Sequence, residues 1–405
     1  MQFDEKKLKE TLEKPAAHGP DLDLQEFRLG GEEKLELGED VAQASLEVGV
    51  DLDKRSKLTT FLQVDHRILY TAIQKQFEGD IELTPIEEAL EKYDWLKEYF
   101  WRLRSPYEDK YTAFNALYGR GGYLLRILED RKIHMPIQTC FLTYSPEIVQ
   151  NVHNVIIAEP GSEAYIITGC AAHKKAPRGL HVGITEIYVK RSAKINYTMI
   201  HRWGPSFHVR PRTGILLEDD AELVYNYIAL GAVASFQSQP TARIVGENAT
   251  LSMNNVVYLD GSSEMDLGGE ALIEGRGVKV ELITNAVAAD RARLTNRSRI
   301  ICEADDGRGH ISCRGLMLSD QAEISAIPCL VSRRMRSELT HEAAIGKISE
   351  EQLFYLMSRG ISEEEAESLI VRGFLDTSPL KLPEHLDKSV RKIIDLAIKG
   401  SIKGF

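Results

Sequence analysis

Cys313, in His310-Ile311-Ser312-Cys313, and the pair His341-Glu342 are residues whose types and spacing fit metal chemistry. Thiolates hold iron–sulfur clusters, and histidine replaces cysteine in some of those sites. A site with fewer than four cysteines, mixing softer and harder donors, favours a cluster that can be handed on. The step from Cys313 to His341 is about 28 residues. In a chain coiled with that period, residues one coil apart lie in adjacent strands about 4.8 Å apart, so thiol, imidazole and carboxylate can meet at one edge. The same residues also fit a buried thiol beside a histidine that caps the helix beginning near Ser349. The other cysteines, Cys140, Cys170, Cys302 and Cys329, stand far apart. An odd count of five with no CxxC pair supports neither a disulfide framework nor a zinc ribbon.

Positioning such residues requires the coil itself. Between about 135 and 335, short runs rich in Val, Ile, Tyr and Thr alternate with Gly, Asn and Asp. Ala164-Tyr165-Ile166, Ala193-Lys194-Ile195, Ala221-Glu222-Leu223, Ala249-Thr250-Leu251 and Val278-Lys279-Val280 recur at steps of about 28 or 29 residues. Strands at that period with no helices between them fit a β-solenoid, and an antiparallel sandwich is the alternative. The boundaries expected are a largely helical region over 1–130, a β core over 131–338 and a helical domain over 339–405. Thr84-Pro85-Ile86-Glu87 reads as a helix start, with Thr84 capping, Pro85 in the first turn and Glu87 closing a capping box. Ser349-Glu350-Glu351-Gln352 and Ser362-Glu363-Glu364-Glu365 read as two more capping boxes, with Gly360 and Gly373 as C-terminal caps and a last helix near Lys388–Lys399. Gly119-Arg120-Gly121-Gly122 reads as a turn. No assignment is made for 20–60.

Several classes are disfavoured. A net charge of −11 opposes nucleic-acid binding and docking on anionic lipid. No run approaches the roughly 18 apolar residues of a membrane span, and the start MQFDEKKLKE lacks the apolar stretch of a secretory signal. The expected location is therefore cytoplasmic. GxxxxGK[ST], HExxH and GxSxG are absent, so neither ATP hydrolysis nor ordinary hydrolase chemistry is expected of this chain.

One segment resembles a known family. Thr340-His341-Glu342-Ala343-Ala344-Ile345-Gly346-Lys347-Ile348, running through Glu351 to Ala366 and on to Leu369-Ile370-Val371-Arg372-Gly373-Phe374, is similar to the signature of SufB/SufD iron–sulfur assembly scaffolds. Cys313-Arg314-Gly315-Leu316-Met317-Leu318, Thr168-Gly169-Cys170-Ala171-Ala172, Tyr111 to Leu117 and Pro136-Ile137-Gln138 resemble further family segments. The resemblance implies a mainly β protein, a right-handed parallel β-helix flanked by helical N- and C-terminal domains. It implies a non-enzymatic scaffold in the cytosol that works with SufC, an ABC-type ATPase, and with a second SufB- or SufD-type chain. The sulfur donor is left unspecified. It further implies a transient iron–sulfur cluster, leaves room for a reduced flavin, and gives roles to residues. Cys313 would hold the cluster or the last sulfur, Glu342 and His341 would be further ligands, and Cys170 would be the sulfur acceptor. Leu353, Phe354, Tyr355, Arg359, Leu369, Ile370 and Phe374 would dock SufC.

The match departs from both subtypes. SufB-type chains often carry an acidic residue where Thr340 stands, and SufD-type chains a small residue where Glu342 stands. Cys313 together with Glu342 makes the chain more like SufB, with a homodimer carrying two symmetric sites as one arrangement. A SufD-like partner or an adaptor that regulates the ATPase is the alternative. A polysaccharide-acting β-helix enzyme is disfavoured, because the Asp residues fall mainly in turns.

Overall fold

A computed structural model describes residues 3–16, 19–31, 38–382, 384, 387–388 and 390–395. The expected β architecture is present as a β-solenoid of about eight turns with helices toward both termini. Two long sheets form its walls. In the first, Lys132–Thr143, Glu163–Ala172, Lys194–Arg202, Glu222–Leu230, Thr250–Leu259, Lys279–Ala288, Arg308–Met317 and Glu338–Lys347 stack in parallel, each on the one before. Ala164, Ile195, Leu223, Leu251, Val280, Gly309 and Leu339 are successive partners across this sheet. Their numbering shows a repeat that is real but not uniform, with its longest steps at the two ends. Ala164 pairs with Ile195 rather than with Ala193.

The corners explain why this sequence coils. Asp130, Gly161, Ser192, Asp220, Asn248, Gly277 and Asp306 follow one another at one-coil steps, all with φ between 55° and 71°. Short polar side chains and glycine tolerate the left-handed region, so each coil turns at a residue that can take it. Between corners, alternate side chains point inward, where Leu251, Met253 and Val257 stack on Val280, Leu282 and Ala286. Outward positions carry ion pairs from coil to coil, such as Arg297 with Asp266 at 2.9 Å and Arg333 with Glu303 at 2.7 Å.

The region 1–130, read as largely helical, also contains four strands. Thr60–Val64 and Arg67–Ala72 form an antiparallel hairpin on the first sheet, and Ile81–Pro85 pairs antiparallel with Tyr123–Ile127 on the second. These short strands cover the interior at that end, which the α1 (Glu5–Leu12) and α2 (Glu39–Leu46) helices alone would leave open. The helix expected after Thr84 is α3 (Ile86–Lys92), but Thr84 is taken up by strand pairing with Leu124 and makes no cap. Glu87 instead accepts the Gly121 backbone N–H. The Gly119–Gly122 turn ends α4 (Lys110–Tyr118) and requires glycine: at Gly122 φ is +101°, and a Cβ would lie 2.0 Å from the His153 carbonyl oxygen. On the outer face of the second sheet, buried Glu186 accepts the N–H groups of Trp101, Arg102 and Leu103, each at 2.6 Å, tying that loop to the coil.

After the last strand come α5 (Glu350–Ser358) and α6 (Glu363–Phe374). Ser362 forms its capping box with Glu365, Ser349 makes no side-chain cap, and Gly360 follows α5 with φ +87°. Gly373 lies inside α6 rather than beyond its end. The expected final helix lies partly outside the described residues. Val371, Leu375 and Leu380 pack with Ile200, Ile228, Val256, Val287 and Leu316 on the outer face of the first sheet. Asn196, Asn226 and Asn254 fix this docking. Asn196 and Asn226 both donate to the Leu380 carbonyl at 2.9 Å, and Asn254 donates to that of Pro379 at 3.1 Å.

Candidate functional site

Cys313 stands on the next-to-last strand of the first sheet. Its in-register partner is Ala343, because this coil is slightly longer than the step read from the sequence; His341 pairs with Ile311 and Glu342 with Ser312. Side chains alternate along a strand. Ile311 belongs to the interior, so Cys313 and His341 share the inward face, two positions apart along the stack. Glu342 lies on the outward face, where the Ser312 hydroxyl donates to its carboxylate at 3.0 Å. The structure thus brings the three residues to one edge but splits them between two faces. His341 and Glu342 are exposed, whereas Cys313 is 3% exposed. Burial raises the Cys313 thiol above its ordinary range, opposed by a hydrogen bond with Asn296 from the facing sheet. Among the described residues, no three His, Cys, Asp or Glu side chains converge as a metal site.

Cys170 sits deep in the same interior, between Phe141 and His201 in the stack, and is 2% exposed. Burial pushes its thiol well above the usual range. Its surroundings are polar for a solenoid core. His201 Nδ1 lies 3.1 Å from the Tyr227 hydroxyl, and His181 Nδ1 lies 2.9 Å from Gln150 Oε1. Both imidazoles are neutral: burial brings His181 down to about 3 and His201 well below its ordinary value.

Five strand spacings, roughly 24 Å, separate Cys170 from Cys313. The inward column that ends at Cys313 runs through Thr139, Thr168, Met199, Tyr227, Asn255 and Thr284. Thr139 and Thr168 share a hydrogen bond of 2.7 Å, and Asn255 donates to Thr284 at 3.0 Å. A small cavity touches Met199, Tyr227 and Asn255. Sequence reading missed this column, although Tyr227, Asn255, Thr284 and Cys313 follow at one-coil steps.

The remaining thiols are dispersed. Cys140 faces outward beneath α2 near Ser45 and is pushed up to about 12 by burial. Cys302 is buried against the Ala304 carbonyl, and Cys329 is exposed. Cys302 and Cys329, spaced about one coil apart, are not opposite each other: Cys302 faces Ser332 and Cys329 faces Arg299. In the helical tail, Phe354, Tyr355 and Leu369 are 72%, 58% and 54% exposed, and Arg359 is exposed as well. Leu353, Ile370 and Phe374 are half-buried; the latter two pack on the first sheet, with the Arg314 guanidinium over the Phe374 ring.

A family model for the SufBD core domain of the SUF system for FeS cluster assembly matches residues 141–374. This chain belongs to the SufBD family. It is 39% identical over 406 residues, 98% of each chain, to an iron–sulfur cluster assembly SufBD family protein of Methanothermobacter thermautotrophicus. One from Archaeoglobus fulgidus is 41% identical over 362 residues, covering 89% of this chain and 96% of that protein. A Staphylococcus aureus relative is 27% identical over 346 residues, 84% of this chain and 74% of its own length. The solenoid with Cys170 and Cys313 on its inward face is thus that of a SufBD-family iron–sulfur cluster assembly protein. Among the described residues, no helix is long and apolar enough to cross a membrane.

Proposed function

We propose that this SufBD-family chain is a SufB-like scaffold that accepts sulfur at Cys170, assembles a transient cluster at Cys313 and hands it on. The observation that carries this reading is the end of the solenoid. A buried thiol lies one coil from a sheet edge whose last strand presents His341 and Glu342 to solvent. An exposed edge strand is a template for pairing with another chain. A second scaffold chain, identical or SufD-like, closes that edge, and the cluster is the cargo held there. Cys313 supplies the thiolate; His341 reaches from the same face, and Glu342 joins once released from Ser312. The polar column ending at Cys313 supports sulfur passage through the interior.

SufC supplies the ATP hydrolysis and docks on α5 and α6. Phe354, Tyr355, Arg359 and Leu369 make the contact surface, while Ile370 and Phe374 hold the helices on the sheet. Because α5 follows the last strand within three residues, closure of an ATP-bound SufC pair pulls on that strand and uncovers Cys313. Trapping SufC in its ATP-bound dimer without any change in Cys313 labelling would remove this step.

The deciding experiment is anaerobic reconstitution with iron and sulfide, alone and with SufC, on wild type and Cys313→Ala. A visible charge-transfer band in wild type that the variant lacks supports the reading. No band in either favours the SufD-like or adaptor role. A purified SufC complex with two different scaffold chains would rule out the homodimer.

A further inference from the structure

His201 follows Cys170 directly in the stack, one strand spacing of about 4.8 Å away on the same inward face. It is 2% exposed, its Nδ1 is matched with the Tyr227 hydroxyl, and its Nε2 is buried without a hydrogen-bond partner. Buried polar atoms are almost always paired, because an orphaned one loses its water partners without replacement. An unpaired imidazole nitrogen beside a thiol is therefore a feature to be explained by use. The groups facing His201 are Tyr227, His181, Trp203, Phe236 and Cys170, and none of them carries a fixed charge.

We propose that His201 takes the Cys170 proton when that thiol accepts sulfane sulfur, with Tyr227 holding the imidazole in the tautomer that leaves Nε2 free. The inference rests on the reading of Cys170 as sulfur acceptor and assigns the chemistry of that step. His201 Nδ1–H donates to the Tyr227 oxygen, so Nε2 carries a lone pair. A donor of the persulfide or polysulfide class brings a sulfur–sulfur bond. As the Cys170 proton passes to Nε2, the sulfur attacks the terminal sulfane sulfur and a new S–S bond forms at Cys170. The donor's S–S bond breaks with its electron pair on the leaving sulfur, which takes the proton on from His201 in the same event, so the buried imidazole is never left charged. No external oxidant or reductant is consumed. Without such a base the thiol would have to ionise unaided in a site that disfavours its anion.

Half-buried Trp203 contacts both His181 and His201, with ring centroids 5.1 Å and 5.5 Å away, and lies beside the exposed Pro205-Ser206 turn.

The test uses the full-length chain with inorganic tetrasulfide as donor. Persulfide at Cys170 is followed by mass spectrometry of the alkylated protein from pH 6 to pH 10. His201→Gln is expected to lower the initial rate at least tenfold from pH 6 to pH 10, because burial keeps the Cys170 thiol from ionising without the base across that range. Tyr227→Phe keeps the ring and is expected to lose about threefold. A wild-type rate and pH profile in His201→Gln overturns the proposal. Should that variant fail to fold, a wild-type rate and profile in Tyr227→Phe overturns it equally. If wild-type Cys170 gains no persulfide while exposed Cys329 does, the acceptor reading itself has failed. Loss of persulfide confined to the variants identifies the base.

Discussion

At the first coils, the hairpin Thr60–Val64 and Arg67–Ala72 closes the first sheet, and Phe61, Tyr123 and Phe141 fill the interior beneath it with ring centroids 5.1–6.0 Å apart. At the last coil, the strand Glu338–Lys347 ends the same sheet with its residues nearly all exposed, and Ile345 is 39% exposed. The same backbone repeat therefore gives two different environments for a thiol. Cys170 is sealed among neutral histidines and tyrosines, while Cys313 is covered by a single coil. A solenoid interior costs little to extend, because each coil buries its neighbour's face; the stacking stops at the last strand, and polar groups replace apolar ones beside Cys170.

The contrast is sharpest in packing. Phe141→Ala is expected to cost about 3–5 kcal/mol of unfolding free energy, whereas Ile345→Ala should cost under about 0.5 kcal/mol in the isolated chain. Urea denaturation of both variants decides this, and equal losses would erase the distinction between the ends. Acid should act on the closed end too. With folded values far below the ordinary histidine range, His181 and His201 stay neutral in the native state, while the unfolded chain takes up their protons below about pH 6.5. Protons then favour unfolding, so stability falls as pH drops from about 6.5 toward 3, by a few kcal/mol. His181→Gln should flatten that part of the stability–pH curve, as thermal melts at stepped pH would reveal.

Thiol chemistry tests accessibility directly. Iodoacetamide should modify exposed Cys329 first, then Cys313, with Cys170 at least tenfold slower than Cys313. Peptide-resolved labelling that finds Cys170 ahead of Cys313 would reverse the two environments. The smallest effect belongs to the helical tail. Ser362→Ala removes an observed capping box and should cost about 1 kcal/mol, while Ser349→Ala should cost under about 0.5 kcal/mol, because Ser349 caps nothing. Matched denaturation curves for the pair measure this difference.

The coil period and the corner residues were legible in the sequence, because a left-handed corner admits few residue types and inward positions must be mostly apolar. The family was legible in the Thr340–Phe374 segment for a different reason, a long run of matching residues. Register was not legible. A last coil about two residues longer than the step of about 28 read from the sequence moves the partner of Cys313 from His341 to Ala343, and a one-residue offset sends Glu342 to the opposite face. The strands within 1–130 were also hidden, since each is only five or six residues long and exists because it covers the open core.

By itself, then, the sequence determined that the chain coils and that helices follow the last strand, because those depend on local backbone tolerance and on side-chain period. Only the tertiary structure decided that Cys170 abuts His201, that a polar column ends at Cys313, and that the last strand stays uncovered. Those facts depend on the lengths of the coils between the residues concerned, and a residue gained or lost within one of those strands shifts its register.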